Sequence, residues 1–317
     1  MEKTIPRKIA IGFQEGTCPL RCNKCLAFGK DAKRKKEMCK MPLDKAKLLL
    51  DEIAGMKILP VVQPYIYTEP FANPDLREII KYCNERNIAM SIITNGLLID
   101  NDWIDFLARN TSSDYIISFS LDAVTQKTYE KVRGNYSLKK IEDTIEELVA
   151  KRGANGPRIT VNFTVEEDND FETMAFIEKW KYKVDGVRAT VGVDSHRKIP
   201  QKYCHENQKI DTLKCRYLDE IMVIDADGRV RSCPFDAFGD TDFGNAFEMG
   251  ILEIWNSERM IKHREQQAQG TLPQNDFCNG CEARKNMMQN SRVTEEFVIN
   301  EAEYAIYYNN KERYNLA

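Results

Sequence analysis

Seven of the ten cysteines fall into two groups whose spacing suits metal or cluster ligation. They are Cys18, Cys22 and Cys25 in a short N-terminal array, here called the trio, and Cys215, Cys233, Cys278 and Cys281 in a spread C-terminal set, here called the quartet. Thiolates ligate zinc and iron–sulfur clusters, and disulfides are uncommon in a reducing compartment. The cysteine pattern therefore predicts two metal or cluster sites.

The trio has Cys-x3-Cys-x2-Cys spacing and directly follows the first predicted strand. Three thiolates on a four-iron cubane leave one iron without a protein ligand, and a cofactor or substrate can coordinate there. The alternatives are a structural zinc site or a set of unligated thiols, but structural zinc usually has four closed ligands. The spacing favours an iron–sulfur cluster with one open iron.

Short β-rich runs alternate with helical periodicity from residue 9 to residue 190. The predicted strands cover 9–15, 61–68, 89–94, 115–121, 159–165 and 187–191. The predicted helices cover 44–57, 74–87, 101–109, 137–151 and 171–182. Six such repeats predict an α/β fold with a mainly parallel sheet, curved into a partial (β/α)6 TIM-like barrel over residues 1–195.

The alternation of strands and helices ends near residue 195. A hairpin is predicted at 220–225 and 229–232, joined through Asp227-Gly228, because Asp-Gly favours a tight turn. With a helix at 250–268 it forms a small cysteine-bearing domain over 196–290. The tail 291–317 is expected to be helical, either covering the sixth strand or making a dimer contact.

The charges nearly balance, with 46 Lys and Arg against 49 Asp and Glu and a net charge of −3. Because there is no basic excess, nucleic acid is not an expected partner. No apolar run approaches the ~20 residues that span a bilayer, and no signal-peptide core is visible. We expect a cytoplasmic protein without a membrane partner, and the sequence leaves its oligomeric state open.

With the trio on the loop after the first strand, the sequence resembles the radical S-adenosylmethionine (SAM) superfamily. Tyr67-Thr68-Glu69-Pro70 ends the second predicted strand, where that family has a Gly-Gly-Glu-Pro-like segment. The resemblance implies that Thr68 and Glu69 lie at the methionine amino group of SAM. This chain departs from the family pattern at Lys24, where an aromatic residue is usual, and at Tyr67 and Thr68, which replace two glycines.

Two further strand ends carry the same resemblance. Thr94-Asn95-Gly96 ends the third strand, and Ser118-Phe119-Ser120-Leu121-Asp122 ends the fourth. Parallel α/β folds place their sites at the carboxyl ends of strands. The resemblance implies contacts to the methionyl carboxylate or the ribose from Asn95, Ser118, Ser120 and Asp122. It also implies that the reduced cluster cleaves SAM to a 5′-deoxyadenosyl radical, which takes a hydrogen atom from a substrate carbon.

By spacing alone, the quartet suits zinc and iron–sulfur equally. With Gly244-Asn245 and Ile254-Trp255-Asn256, however, it resembles the SPASM/twitch extension of radical SAM enzymes, in the shorter form with one auxiliary [4Fe–4S] cluster. Four thiolates leave no open iron, so the resemblance implies an electron-accepting role. The expected reaction is oxidation of a natural-product intermediate, with an external one-electron donor such as flavodoxin.

Two alternatives stay open. The first is maturation of a peptide substrate by cross-linking, oxidation or epimerisation, with Cys204 in the interdomain linker as a candidate hydrogen donor. Cys39 and Cys83 are weaker candidates, because a free cysteine commonly behaves as a small hydrophobe. The second alternative is a non-catalytic scaffold stabilised by zinc. We expect that Arg133, Arg188 and Asp194 can face the cavity of the barrel, but their spacing assigns them no role.

Overall fold

The structure is a computed structural model that describes residues 4–29, 37–194, 197–203, 214–236, 238–286, 290–302 and 305–314. The strands are β1 (Lys8–Ile11), β2 (Gln14–Glu15), β3 (Cys39–Lys40), β4 (Val61–Gln63), β5 (Ser91–Thr94), β6 (Ile116–Ser120), β7 (Arg158–Val165), β8 (Gly186–Val191), β9 (Ile221–Ile224), β10 (Val230–Arg231), β11 (Asn290–Val293), β12 (Phe297–Ala302) and β13 (Ala305–Asn310). The helices are α1 (Leu43–Ala54), α2 (Leu76–Asn84), α3 (Asn101–Asn110), α4 (Gln126–Val132), α5 (Leu138–Lys151), α6 (Thr173–Trp180), α7 (Arg216–Glu220), α8 (Ile251–Trp255), α9 (Glu258–Gln269) and α10 (Lys311–Tyr314).

Six parallel strands form the barrel wall in the order β1, β4, β5, β6, β7, β8. A single parallel bridge between Val62 and Met90 joins β4 to the chain entering β5. The alternation of strands with helices along the sequence follows the βα pattern that favours parallel pairing. The prediction of a partial (β/α)6 barrel is therefore confirmed.

The helices cover the barrel with apolar faces that the sequence periodicity dictates. In α2, Leu76, Ile79, Ile80 and Cys83 recur at helical spacing and are all buried. The start of α3 is capped: the Asp100 side chain accepts a hydrogen bond of 2.9 Å from the backbone N–H of Trp103. The second predicted strand is shorter than expected, because Pro64 follows β4 and has no N–H for the ladder.

The predicted hairpin connects the C-terminal domain to the barrel. β9 pairs parallel to β1, with Met222 opposite Ile9, and β10 pairs antiparallel to β9. Gly228 in the turn has a φ of 86°, and a side-chain Cβ there would lie 2.4 Å from Asn245 Oδ1. The hairpin thus extends the barrel sheet beyond its first strand.

The single helix predicted at 250–268 is divided into α8 and α9. α8 ends with Asn256 as its C-cap, and Ser257 caps the start of α9, since its side chain accepts a hydrogen bond of 3.3 Å from the backbone N–H of Met260. Asn256 turns back toward the N-terminus and donates to the Thr4 carbonyl at 3.0 Å. A capping residue within a continuous apolar pattern therefore ends one helix and starts another.

The prediction that the tail 291–317 is helical is wrong for its described residues. β11, β12 and β13 form an antiparallel ribbon, and α10 is a single short turn. β13 pairs antiparallel to β8, with Ile306 opposite Ala189. The β-branched and aromatic residues of this segment favour strands, and the open edge of β8 supplies the hydrogen-bonding partners. The sixth barrel strand is covered by a strand and not by a helix.

A buried ion-pair network holds the tail to the N-terminal end of the strands. Asp185 pairs with both Arg152 and Arg313 and also accepts a hydrogen bond of 2.6 Å from the backbone N–H of Ile159. Loss of Asp185 would leave both arginines without their counter-charge in a poorly hydrated position. Among the described residues, no helix is both long enough and apolar enough to cross a membrane.

Candidate active site

The trio lies on a tight loop after β2 that is fixed to the end of α4. The backbone N–H of Asn23 donates to the Val132 carbonyl at 3.1 Å, and its side-chain amide donates to the Lys131 carbonyl at 2.7 Å. Arg21 Nη1 donates to the Cys18 carbonyl at 2.7 Å. The loop closes so tightly that a Cβ on Gly29 would lie 2.6 Å from the Cys25 carbonyl oxygen. These contacts fix the backbone from which the three thiols project.

All three thiols line one cavity of about 270 Å³, here called the trio cavity. Burial raises the pKa of Cys18 to about 11 and also raises that of Cys22. Asn95 Nδ2 lies 3.7 Å from Cys18 Sγ, and Arg133 Nη1 lies 3.8 Å from Cys22 Sγ. A bound cationic centre favours the thiolate forms that burial disfavours. The donor set and the space beside it fit a cluster with one iron open to a second ligand.

Glu69 joins the ends of two barrel strands at this cavity. Its carboxylate accepts hydrogen bonds from Thr94 Oγ1 at 2.6 Å and from the Asn95 backbone N–H at 2.8 Å. Burial raises the pKa of Glu69 to about 7, while those hydrogen bonds act in the opposite direction. Gly96 in the same turn has a φ of 78°, and a Cβ there would lie 2.7 Å from Ile141. Glu69 is therefore a fixed carboxyl that titrates near neutrality.

Asp122 also lines the trio cavity, where it forms an ion pair with Arg133. Its Oδ2 accepts from Arg133 Nε at 2.8 Å, and its Oδ1 accepts from the Thr164 backbone N–H at 2.6 Å. Asp122 has a φ of 57°, in the left-handed region, where Asp is one of the few tolerated residues. The predicted Asp122 thus fixes Arg133 beside the trio, a role that sequence spacing did not assign.

The other predicted cofactor residues lie in different places. Thr68 and Ser120 line the trio cavity, and the Thr68 hydroxyl donates to the Thr17 carbonyl at 2.8 Å. Ser118 lines a separate cavity of about 360 Å³ inside the barrel, here called the interior cavity, and its hydroxyl is 2.5 Å from Thr160 Oγ1. Ser118 and Ser120 share a face of β6, so alternation alone could not separate the two.

Sequence analysis did not identify Glu166, which also lines the trio cavity. Burial and the nearby Asp122 raise its pKa to about 7, with Lys24 acting in the opposite direction. Glu166 directly follows β7. The signal that could have found it is its position at the carboxyl end of a barrel strand, the same signal that identified Asn95 and Asp122.

The quartet lines a small cavity of about 20 Å³, which aromatic side chains enclose. Burial raises the pKa of Cys215 to about 11 and raises that of Cys233 and Cys278 further, with the neighbouring cysteines adding to the effect. The Cys215 backbone N–H donates to Gln267 Oε1 at 2.8 Å. Four thiols in one small cavity, two buried and two half-buried, fit a closed four-ligand cluster.

A fourth cavity, of about 280 Å³, shares lining residues with both the trio cavity and the quartet cavity and is here called the middle cavity. It shares Lys24 and Ser120 with the trio cavity, and Tyr217 and Phe235 with the quartet cavity. Arg188 on β8 also lines it. A molecule bound in the middle cavity is therefore flanked by the trio on one side and the quartet on the other.

The single cysteines outside both groups do not line these cavities where the structure describes them. Cys39 is exposed on β3. Cys83 is buried on the outer face of the barrel in α2, where burial raises its pKa to about 12. Cys204, the candidate hydrogen donor, lies outside the described residues.

Two family models match this chain. The model described as the Radical SAM superfamily matches residues 16–177, about half of the chain. The model described as the SPASM iron–sulfur cluster-binding domain matches residues 215–282, which contain the whole quartet.

Relatives with several assigned reactions are similar in sequence. An S-adenosylmethionine-dependent nucleotide dehydratase of Psychrobacter lutiphocae is 26% identical, over 75% of this chain and 87% of that protein. The PqqA peptide cyclase of Gluconobacter oxydans is 26% identical, over 48% of this chain and 40% of its own length. The subtilosin biosynthesis protein AlbA of Bacillus subtilis is 24% identical, over 67% of this chain and 54% of AlbA. The chain thus spans most of the dehydratase but only about half of the other two.

Solved structures share the fold. BtrN in complex with AdoMet and 2-DOIA has a TM-score of 0.61 at 14% identity, over 89% of this chain and 94% of BtrN. Streptococcus suis SuiB bound to the precursor peptide SuiA has a TM-score of 0.63 at 19% identity, over 89% of this chain and 70% of SuiB. The native anSMEcpe with AdoMet and the Cp18Cys peptide has a TM-score of 0.62 at 15% identity, over 88% and 90%.

Proposed function

Because the chain belongs to the radical SAM superfamily and is an enzyme with a SPASM domain, we propose that it oxidises a substrate held in the middle cavity. The substrate carbon loses a hydrogen atom, and the resulting radical loses a proton and one electron. The electron leaves on the quartet side. Membership in a superfamily of enzymes argues against the alternative of a zinc-stabilised scaffold.

The Radical SAM domain binds a [4Fe–4S] cluster and SAM, and the SPASM domain binds auxiliary iron–sulfur. The trio would hold the first cluster and the quartet an auxiliary [4Fe–4S] cluster. Together, these groups supply reductive cleavage of SAM to a hydrogen-abstracting 5′-deoxyadenosyl radical, with an external one-electron donor such as flavodoxin. The protein's own residues bind, orient and exclude water. Glu69 offers a carboxylate for the amino group of SAM, and Asp122 keeps Arg133 beside the trio.

The observation that carries the proposal is the position of the middle cavity. Its lining is shared with the trio cavity through Lys24 and with the quartet cavity through Tyr217 and Phe235. A substrate radical in the middle cavity would have the quartet as a second cluster-binding site, beyond the trio, beside it. An auxiliary cluster beside the substrate suits electron removal, because its four protein ligands leave no iron for the substrate to bind.

Peptide modification is the second candidate, and the similarity to PqqA peptide cyclase and AlbA supports it. The nucleotide dehydratase, in contrast, supports a small-molecule substrate and matches over a larger share of both chains. The middle cavity, of about 280 Å³, suits a small molecule or one peptide side chain. We therefore favour the small molecule.

Anaerobic reconstitution is the first experiment. Iron, sulfide and zinc per chain are measured together with 5′-deoxyadenosine after reduction with dithionite. We expect about eight irons per chain, the number in two four-iron clusters, together with slow cleavage of SAM. Zinc without cleavage would contradict the proposal.

The type of reaction is tested in D₂O on metabolite and peptide pools, with mass spectrometry of SAM-dependent products. Oxidation predicts a product about 2 Da lighter, with one SAM consumed per product. A product of unchanged connectivity that gains one deuterium would indicate epimerisation and overturn the oxidation proposal. A product 2 Da lighter that is found only in the peptide pool would select the second candidate.

A further inference from the structure

Arg188 differs from the other arginines near the barrel interior. Arg133 pairs with Asp122, Arg152 with Asp185, and Arg231 with Asp225. Arg188 has no carboxylate within 4 Å among the described residues. Its Nε donates to Thr190 Oγ1 at 3.0 Å, and its guanidinium lies 5.0 Å from the ring centre of Tyr307.

The groups around Arg188 do not neutralise it. The charged and titratable groups that face it are the hydroxyls of Tyr65, Tyr217 and Tyr307 and the ammonium of Lys8. A phenol is neutral at physiological pH, and Lys8 adds positive charge. A partly buried guanidinium without an anion is costly, because water is displaced without a charge to replace it.

Arg188 lines both the interior cavity and the middle cavity. The interior cavity contains Asp185, which already pairs with Arg152 and Arg313. The middle cavity has an imbalance of charge. Two cations, Lys24 and Arg188, line the middle cavity, and no described lining residue is Asp or Glu. The trio cavity, in contrast, contains three carboxyl residues, Glu69, Asp122 and Glu166. The trio cavity also contains Lys24 and Arg133, so carboxyl groups and cations are mixed there, whereas the described charged residues of the middle cavity are cations alone.

We propose that the substrate carries a carboxylate or phosphate that Arg188 binds in the middle cavity, with Lys24 adding attraction from the trio side. This inference rests on the proposed function, because it assumes that the substrate occupies the middle cavity. An arginine fork matches two oxygens of either anion and forms charge-assisted hydrogen bonds. Arg188 is then a specificity-determining residue that holds the substrate and takes no part in breaking bonds.

Binding is tested by anaerobic calorimetry on the reconstituted enzyme with saturating SAM. The probes are inorganic phosphate, pyrophosphate and glutarate, so that phosphate and carboxylate are compared separately. We expect one class to bind and Arg188→Gln to weaken it by about 10- to 100-fold, the effect of losing a charge-assisted pair. Arg188→Lys should recover part of the affinity, because it retains the charge but not the fork. The exposed Arg109, which pairs with Asp105 on α3, supplies the control Arg109→Gln, which should bind like wild type.

Three results would overturn the inference. The first is that the wild-type enzyme binds no probe. The second is that Arg188→Gln binds the probe like wild type. The third is that Arg188→Gln loses affinity for SAM by the same factor as affinity for the probe, since that would assign Arg188 to SAM. Formation of 5′-deoxyadenosine by wild type is measured separately. Wild type that cleaves SAM but binds no anion contradicts only the inference, whereas wild type that binds the anion but cleaves no SAM contradicts only the proposed function.

Discussion

The two cysteine sites of this chain are built in opposite ways. The trio comes from one loop and opens into a cavity of about 270 Å³ that carboxyl and amide groups share. The quartet comes from three separated segments and encloses about 20 Å³ among aromatic side chains. Both are connected to β1: the trio follows β1 along the chain, and β9, the strand that follows Cys215, pairs with β1. Under the proposed function, the open site accepts a replaceable ligand and the enclosed site transfers only an electron.

The largest effect is expected at the open site. Cys22→Ala removes one of three cluster ligands and should reduce 5′-deoxyadenosine formation by at least about 10³-fold, or about 4 kcal/mol of barrier. Iron per chain should fall to about half, since the quartet is intact. The exposed Cys39 supplies the matched control, and Cys39→Ser should keep both iron and cleavage. Equal losses in the two variants would contradict the assignment of the trio.

The closed site should fail differently. Cys233→Ala also halves the iron, but 5′-deoxyadenosine should still form, within about threefold of wild type, because the trio lies on a different loop. Formation of the oxidised product should be lost, because the electron has no acceptor. Iron analysis, nucleoside chromatography and product mass spectrometry check the three statements. If SAM cleavage is lost together with the product, the two sites do not have separate roles.

A smaller effect is expected from the titration of Glu69. Its folded pKa of about 7 lies above its usual value of 4.5, so the proton is favoured in the folded protein. In the protein without clusters, stability from this group is fully present below about pH 4.5 and is lost as the pH rises through about 7, by about 3 kcal/mol. Glu166, also raised to about 7, contributes in the same direction. Denaturation of wild type and Glu69→Gln between pH 4.5 and 8 should show a flatter profile for the variant.

The affinity for SAM, unlike stability, should increase with pH. Above pH 7 the ionised Glu69 attracts the amino group of SAM, so the dissociation constant should fall by about three- to tenfold between pH 6 and pH 8. Glu69→Gln should remove that dependence in calorimetric titrations. If Glu166→Gln removes it and Glu69→Gln does not, the amino group of SAM is bound by Glu166.

The smallest effect concerns the contact between the two regions. The Tyr67 hydroxyl donates to the Pro234 carbonyl at 2.5 Å and links the loop after β4 to the quartet segment. Tyr67→Phe should lower the free energy of unfolding by about 1 kcal/mol, the net value of one hydrogen bond. Iron content should not change. Anaerobic denaturation measures this. Tyr82, whose hydrogen bond to Asp51 is exposed, supplies Tyr82→Phe as a control with a smaller loss. A change in iron content in Tyr67→Phe would mean that this contact supports a cluster site.

The sequence predicted the features that are local along the chain. The trio, the strand ends at Glu69, Asn95 and Asp122, and the barrel repeats depend on spacing and on alternation within one element. Ser118 and Ser120 show the limit, because both satisfy the same alternation but line different cavities.

The remaining features depend on partners that are distant along the chain. The tail forms strands because the edge of β8 is open to it, a fact that the tail sequence alone does not contain. The proposed role of Arg188 likewise depends on the lack of a nearby carboxylate among the described residues. A sequence motif shows which residues are present, but not which are absent around a side chain in the fold. Glu166 was missed because one carboxyl after a strand has no distinctive spacing.

The parallel pairing of β9 with β1 has a consequence for synthesis on the ribosome. β1 and its neighbour β4 are synthesised before β9, the second neighbour of β1, which follows β4 by more than 150 residues. At ~5–20 residues per second, one edge of the nascent barrel stays open for roughly 10 to 30 s. An unpaired hydrophobic strand edge is prone to association during that interval. We therefore expect a chaperone requirement that is greatest when translation is slow, before any cluster is inserted.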